Sequence, residues 1–179
     1  VINLIAQTNV DECEENLLIA FNANCRVIEN IVFALNKNTF LIHISSDQVY
    51  SGIGPHIELN PRPINNYGIT KYMSEFIALK RNALVLRTNF VGKSRTDKKS
   101  FTDWAIDSYK KKKQIFLFKD VYFSPVHISY LINFIFVALK MRKKGVFNLG
   151  SRNGISKHLF IDKLTNNLNL YNPNIQVIP

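Results

Sequence analysis

Cysteine is scarce in this chain of 179 residues: Cys13 and Cys25 are the two it has. They form neither a C-x-x-C motif nor the closely spaced even set that staples small secreted domains, which excludes a disulfide framework. The four histidines, His43, His56, His127 and His158, are scattered without the spacing of a metal site, so no protein-bound catalytic metal is expected. Long apolar runs are also missing. Leu131 to Leu139 is the most apolar stretch, well short of the ~20 residues that cross a bilayer, and no signal-peptide pattern is present. The expectation is a soluble, cytoplasmic protein with no membrane partner. Acidic charge is low, 13 Asp and Glu against 23 Lys and Arg, for a net charge of +10. Such an excess can attract polyanions. Much of it, however, lies in Lys110 to Lys113 and Lys140 to Lys144, where helices are expected to end and cations offset the macrodipole. With no recognisable RNA- or DNA-binding motif, nucleic acid is not an expected partner.

What the chain does have is a steady alternation of apolar strand-like runs with segments of helical period. Val1 to Ala6 reads as a buried strand of a parallel sheet. After a polar turn from Gln7 to Glu12, apolar residues at Leu17, Phe21, Ile28, Ile31 and Leu35 mark a helix that ends at Asn36. Thr39 to Ser45 is the next strand. Strand, long helix and strand make a crossover that implies parallel pairing. The loop Ser51 to Asn65 is punctuated by glycines and prolines. A helix to about Arg81 and a strand from Ala83 to Arg87 follow. From Val91 to Ser100 the composition turns polar and basic, the point at which the chain is expected to leave the sheet. Beyond it, helices are expected over 101–112 and 128–143, strands over 115–118 and 146–150, and a last helix after the N-cap Ser156. The fold class is therefore α/β. The sheet domain takes 1–90 and a smaller α/β domain most of 91–179, with part of 119–145 returning to the sheet.

One local pattern carries chemistry. In Tyr67-Gly68-Ile69-Thr70-Lys71 the tyrosine and lysine are four apart at the start of a helix, which places both on one face. An ammonium beside a phenol favours the phenolate and brings its pKa down from about 10. Ser46, at the end of the preceding strand, can donate to the same carbonyl oxygen that such a tyrosine would protonate.

The ordered set Ser45-Ser46-Asp47-Gln48-Val49-Tyr50, Asn66-Tyr67-Gly68-Ile69-Thr70-Lys71 with Glu75, Leu86-Arg87-Thr88 and Phe147-Asn148-Leu149-Gly150 resembles the extended short-chain dehydrogenase/reductase family. Within it the likeness is to the dTDP-4-dehydrorhamnose reductases and related nucleotide-sugar reductases. The resemblance implies the later part of a Rossmann-like doubly wound parallel sheet with a smaller substrate-binding domain. It implies NADP or NAD as cofactor, a nucleotide-sugar substrate and room for a homodimer. By the same likeness Ser46, Tyr67 and Lys71 are catalytic. Ala6, Gln7, Asn22, Ser45, Tyr67 and Lys71 lie along the cofactor, and Thr8, Val10, Gln48 and Phe90 border the substrate. Asn22 stands for the family's helix asparagine that positions the lysine. The family's glycine-rich turn, which grips the cofactor's phosphates at a helix N-terminus, has no counterpart. The chain is accordingly expected to be N-terminally truncated and to bind cofactor weakly by itself. A different outcome of the same likeness is a non-catalytic nucleotide-binding relative, such as a regulatory subunit of methionine adenosyltransferase.

Overall fold

A computed structural model describes residues 1–97 and 99–179 of the chain. It falls into two compact units, Val1–Thr88 with Ile132–Leu149, and Asn89–Leu131 with Gly150–Pro179.

The first unit opens on β1 (Ile2–Asn3), followed by α1 (Val10–Glu15) and α2 (Leu17–Phe21). Two asparagines set these helix starts: the Asn9 side chain accepts from the amides of Asp11 and Glu12, and that of Asn16 from Ile19, each satisfying orphan donors of a first turn. A π-helical turn, Asn22–Arg26, then leads into α3 (Val27–Ala34). The single long helix expected here is thus three pieces. A separate short helix, α1, precedes it from Val10, because the polar run after Gln7 supplies a cap and acidic first-turn residues rather than a loop. Leu17 to Ala34 is long and apolar enough in composition to cross a membrane; Ala20, Asn24, Cys25, Ile28 and Val32 within it are buried in the unit, while Leu17, Leu18, Ile19 and Phe33 are exposed.

β2 (Phe40–Ser46), α4 (Asn66–Ala78) and β3 (Asn82–Thr88) complete the first half. The second unit takes β4 (Phe90–Val91), α5 (Phe101–Lys110), β5 (Ile115–Phe118), β6 (Tyr122–Phe123), β7 (Val126–His127) and the first turn of α6 (Ile128–Met141). The rest of α6 and β8 (Gly145–Leu149) return to the first unit. β9 (Ile155–Ser156), α7 (Lys157–Asn167) and β10 (Ile175–Ile178) finish the second.

The first unit's sheet has the order β1-β2-β3-β8, with every pair parallel. Its core joins Ile28 and Val32 of α3 and Ala78 of α4 to Leu41, Ala83 and Val85 of the sheet. Side chains alternate along a strand, so Leu41, His43 and Ser45 share the face under these helices with Ala83, Val85 and Arg87, their registered neighbours. Phe40, Ile42, Ile44 and Ser46 look the other way. On that second face the Arg142 guanidinium at the end of α6 sits over the Phe40 ring, 5.6 Å from its centroid. Helices on both faces make the sheet doubly wound.

The second unit is built on α5 and α7, with Ala105, Tyr109, Ile115, Leu117 and Ile161 at its centre. α5 starts with a capping box in which Ser100 and Asp103 exchange bonds, and Ser156 caps α7 through the Leu159 amide. β10, which the sequence pattern does not announce, pairs in parallel with β5.

Candidate active site

In open α/β sheets, ligands gather at the carboxyl ends of the strands. β2 delivers Ser46 to that rim, and β3 delivers Thr88 in register beside it. Ser46 ends β2 and caps the short turn Asp47–Val49, its hydroxyl oxygen accepting from the Gln48 amide at 3.1 Å.

That turn is also where α4 docks. Asn65 caps α4 by accepting from the Gly68 amide at 2.7 Å and donates its own amide to the Gln48 side-chain oxygen at 3.1 Å. The close approach needs a glycine: a β-carbon on Gly68 would collide with the Gln48 carbonyl. Docked in this way, the first turn of α4 brings the Tyr67 phenol into a hydrogen bond with Ser46.

Burial pushes the Tyr67 phenol above its ordinary value, the bond with Ser46 opposes that, and the nearby Asp47 carboxylate adds to it. The expectation that Lys71 draws the phenol downward is not met. One turn along α4, the Lys71 side chain is buried and its amine donates to the Ile44 carbonyl at 2.7 Å. Burial pushes its pKa down to about 8, against the pull of Glu75. At neutral pH the site therefore holds a protonated phenol with an ammonium anchored to the strand behind it.

The helix asparagine in contact with this cluster is Asn24, not Asn22. Asn22 is exposed. Asn24 is 1% exposed and donates to Thr70 Oγ1 at 2.9 Å while accepting from the Gln7 amide at 2.9 Å. The physical reason is helical facing: Asn24 stands four residues from Ala20 and four from Ile28, both fully buried, and shares their stripe, whereas Asn22 falls on the opposite side. Asn24 thereby ties the segment after β1, at Gln7, to the helix that bears Tyr67 and Lys71. Thr70 completes the link by donating to the Asn66 carbonyl at 2.8 Å.

The other candidates divide. Ala6 and Gln7 are partly buried in the segment that follows β1, and Thr8 is exposed beside them. Val10 opens α1, and Gln48 stands in the turn beneath α4. The Ser45 side chain does not reach the rim: it faces the core and donates to Glu75 Oε1 at 2.6 Å, so only its backbone remains for a cofactor. Phe90, half exposed, belongs to the second unit, where it pairs with Val126.

Glu75 was passed over for a role, although Tyr67, Lys71 and Glu75 at spacings of four form one helical stripe. It is 1% exposed, and Arg87 at 4% grips it through Nε and Nη2, the latter at 2.6 Å. Arg87 Nη1 donates to the Tyr50 hydroxyl at 2.7 Å and to the Glu58 carbonyl at 2.8 Å. Glu58 and Tyr50 in turn hold Asn148. The Ser51 to Asn65 loop is thus fastened to the sheet through a buried ion pair. Among the described residues no group of three or more His, Cys, Asp or Glu side chains is placed to hold a metal ion.

Comparison with known proteins points the same way as this arrangement. A probable low-salt glycan biosynthesis reductase of Haloferax volcanii, Agl14, is 28% identical over 173 residues, 92% of this chain and 58% of the relative. A crystal structure of a hypothetical dTDP-4-dehydrorhamnose reductase from Sulfolobus tokodaii superimposes with a TM-score of 0.86 at 31% identity, covering 99% of this chain and 63% of that one. The dTDP-4-dehydrorhamnose reductase of Bacillus anthracis, solved in complex with NADP, gives 0.87 at 26% identity, covering 99% and 64%. The chain therefore spans about three fifths of the length of these relatives. The family model described as the RmlD substrate binding domain matches residues 1–179, and the chain belongs to that family.

Proposed function

We propose that this chain carries the proton-transfer part of an NAD(P)H-dependent reductase acting on the C4 keto group of a nucleotide-linked 4-keto-6-deoxysugar, in the synthesis of cell-surface polysaccharide. The observation that supports this most directly is geometric: Ser46 stands at the carboxyl rim of a parallel sheet, and the helix whose first turn bears Tyr67 docks on the turn that Ser46 caps, through Asn65, Gly68 and Gln48. The named relatives supply the substrate class: one is called a dTDP-4-dehydrorhamnose reductase, and its structure holds NADP.

The residues present fit the nicotinamide end of such a cofactor: Ser46 and Tyr67 offer hydroxyls at the rim, and the Lys71 amine lies one helical turn on from Tyr67, at the Ile44 carbonyl. A bound dihydronicotinamide supplies the hydride that adds to the sugar C4 and is itself oxidised. Tyr67 gives its phenolic proton to the oxygen that becomes the C4 hydroxyl. Ser46 hydrogen-bonds that oxygen while it is still a carbonyl and keeps the phenol aimed at it. Lys71, charged below about pH 8, would hold the ribose of the bound nicotinamide. The chain holds no glycine-rich turn for the cofactor's phosphates.

Oxidation of NADPH or NADH, followed by absorbance in the presence of a dTDP-4-keto-6-deoxysugar, tests the reading. Turnover should fall by roughly 10²–10⁴-fold in Tyr67→Phe. Turnover at the unsubstituted rate would remove Tyr67 from the acid role. A protein that binds nucleotide and a partner enzyme without ever oxidising the cofactor would instead be the non-catalytic relative.

A further inference from the structure

Among the described residues, one buried side-chain polar atom has no hydrogen-bond partner: Thr88 Oγ1. Thr88 is 4% exposed and is the last residue of β3. It lies in register with Ser46 on one side and Leu149 on the other. Registered neighbours in a parallel pair project to the same face, and adjacent strands lie about 4.8 Å apart, so its side chain stands beside that of Ser46. Elsewhere on these strands every buried polar side chain is matched. His43 lies between Asn3 and Ser74, Ser45 and Arg87 close on Glu75, and Ser46 meets the Gln48 amide and Tyr67.

An unmatched buried hydroxyl is a net cost to the fold. Valine has nearly the same shape, favours a strand at least as well, and would fill this position without that cost. Place and chemistry together indicate what the hydroxyl is for. It sits at the carboxyl end of a parallel strand, where ligands gather, next to the serine of the proposed site.

We propose that Thr88 is a further ligand-binding residue of this site, its Oγ1 hydrogen-bonding a polar group of the ligand that Ser46 and Tyr67 also face. The group is a carboxamide or hydroxyl, and its source is either the nicotinamide ring of the cofactor or the sugar ring of the substrate. The proposal rests on the reductase reading for these two sources, and its stability arm does not.

Thr88→Val and Thr88→Ser in the protein expressed from its own gene test it. Thr88→Val is expected to melt at the same temperature as the unsubstituted protein or higher. It should raise the KM of one ligand roughly tenfold, the equivalent of one good hydrogen bond, and leave the other within about twofold. A raised KM for NADPH identifies the nicotinamide as the source, and a raised KM for the sugar nucleotide identifies the sugar. Thr88→Ser keeps the hydroxyl and should restore both constants. A Thr88→Val protein with both constants unchanged overturns the proposal, as does one that melts lower, because the hydroxyl would then have a partner within the fold. If the unsubstituted protein turns nothing over, the reductase reading fails by itself. Thr88 is then decided by the dissociation constants of NADPH and of the sugar nucleotide and by the melting temperature.

Discussion

The two faces of the β2–β3 pair hold their polar side chains in opposite states. Under α3 and α4, polar groups are deeply buried and fully matched. The Glu75 carboxylate takes a hydroxyl from Ser45 and two nitrogens from Arg87, and His43 is completely buried between Asn3 and Ser74. At the carboxyl end of the other face stand Ser46 and Thr88. Ser46 reaches Asp47 through a long 3.4 Å contact and shares a bond with Tyr67, while Thr88 has no partner among the described residues. The lesson is one of capacity. A saturated network leaves nothing over for a ligand and can only hold the architecture, whereas a rim of spare donors and acceptors has bonds to give. The contrast predicts that substitutions on the first face damage stability, and those on the second damage function at little cost to stability.

The largest effect should come from the ion pair. Removing one partner of a buried pair leaves the other charge uncompensated, a loss of about 3–5 kcal/mol. Arg87→Ala should therefore lower the free energy of unfolding by that amount in a urea titration. It should also free the Ser51 to Asn65 loop for faster amide exchange, since Arg87 holds both Tyr50 and Glu58. A loss below about 1 kcal/mol would mean that the pair behaves like an exposed one and would break the comparison.

Next in size is Asn24. Its side chain bonds the Gln7 backbone and Thr70 inside the unit, and leaving such partners unmatched costs about 1–3 kcal/mol. Asn24→Ala should be destabilised to that extent, while Asn22→Ala, on the exposed side of the same turn, should stay within about 0.5 kcal/mol. Equal losses would remove the inward role of Asn24.

These residues also mark how far the sequence could be read. The parallel α/β frame was legible because the runs around Ile42 and Leu84 are largely apolar, the composition that strands buried on both faces favour. Ser46, Tyr67 and Lys71 were legible because their spacing along a strand end and a helix start is local. Asn24 shares the helical stripe of Ala20 and Ile28, and it was hidden because a polar residue in an apolar stripe carries no hydrophobic signal of its own. The buried network of Ser45, Glu75 and Arg87 was not legible for another reason. It needs β2 paired with β3, which sets Ser45 beside Arg87, and α4 packed on both, which brings Glu75 to them, and these are non-local facts. The pairing of β10 with β5 was hidden in the same way.

A smaller effect is set by pH. Burial, with help from Lys71, pushes His43 down from 6.5 to about 3. The unfolded chain binds a proton at His43 below pH 6.5, and the folded chain does so only near pH 3. The stability is complete above pH 6.5 and is lost as pH falls from there toward 3, at up to about 1.4 kcal/mol per pH unit. Denaturation measured between pH 7 and 4 should show this slope, and His43→Gln should flatten it. An unchanged slope in the variant would assign the acid sensitivity to the carboxylates instead.

The smallest stability effect belongs to the rim, where the comparison is sharpest. Tyr67→Phe removes one hydroxyl whose bond is to Ser46, and Ser46 keeps its contact with the Gln48 amide in the variant. Exchanging one hydrogen bond at a partly open site changes stability by about 0.5–1.5 kcal/mol, against 3–5 for Arg87. The loss of turnover expected under the reductase reading corresponds to roughly 3–5 kcal/mol of transition-state stabilisation. The ratio is the informative quantity: Arg87→Ala should lose stability first and activity in proportion to the protein unfolded, and Tyr67→Phe should lose activity while its denaturation curve hardly moves. If Tyr67→Phe unfolded as easily as Arg87→Ala, the phenol would belong to the architecture, and the division between the two faces would not hold.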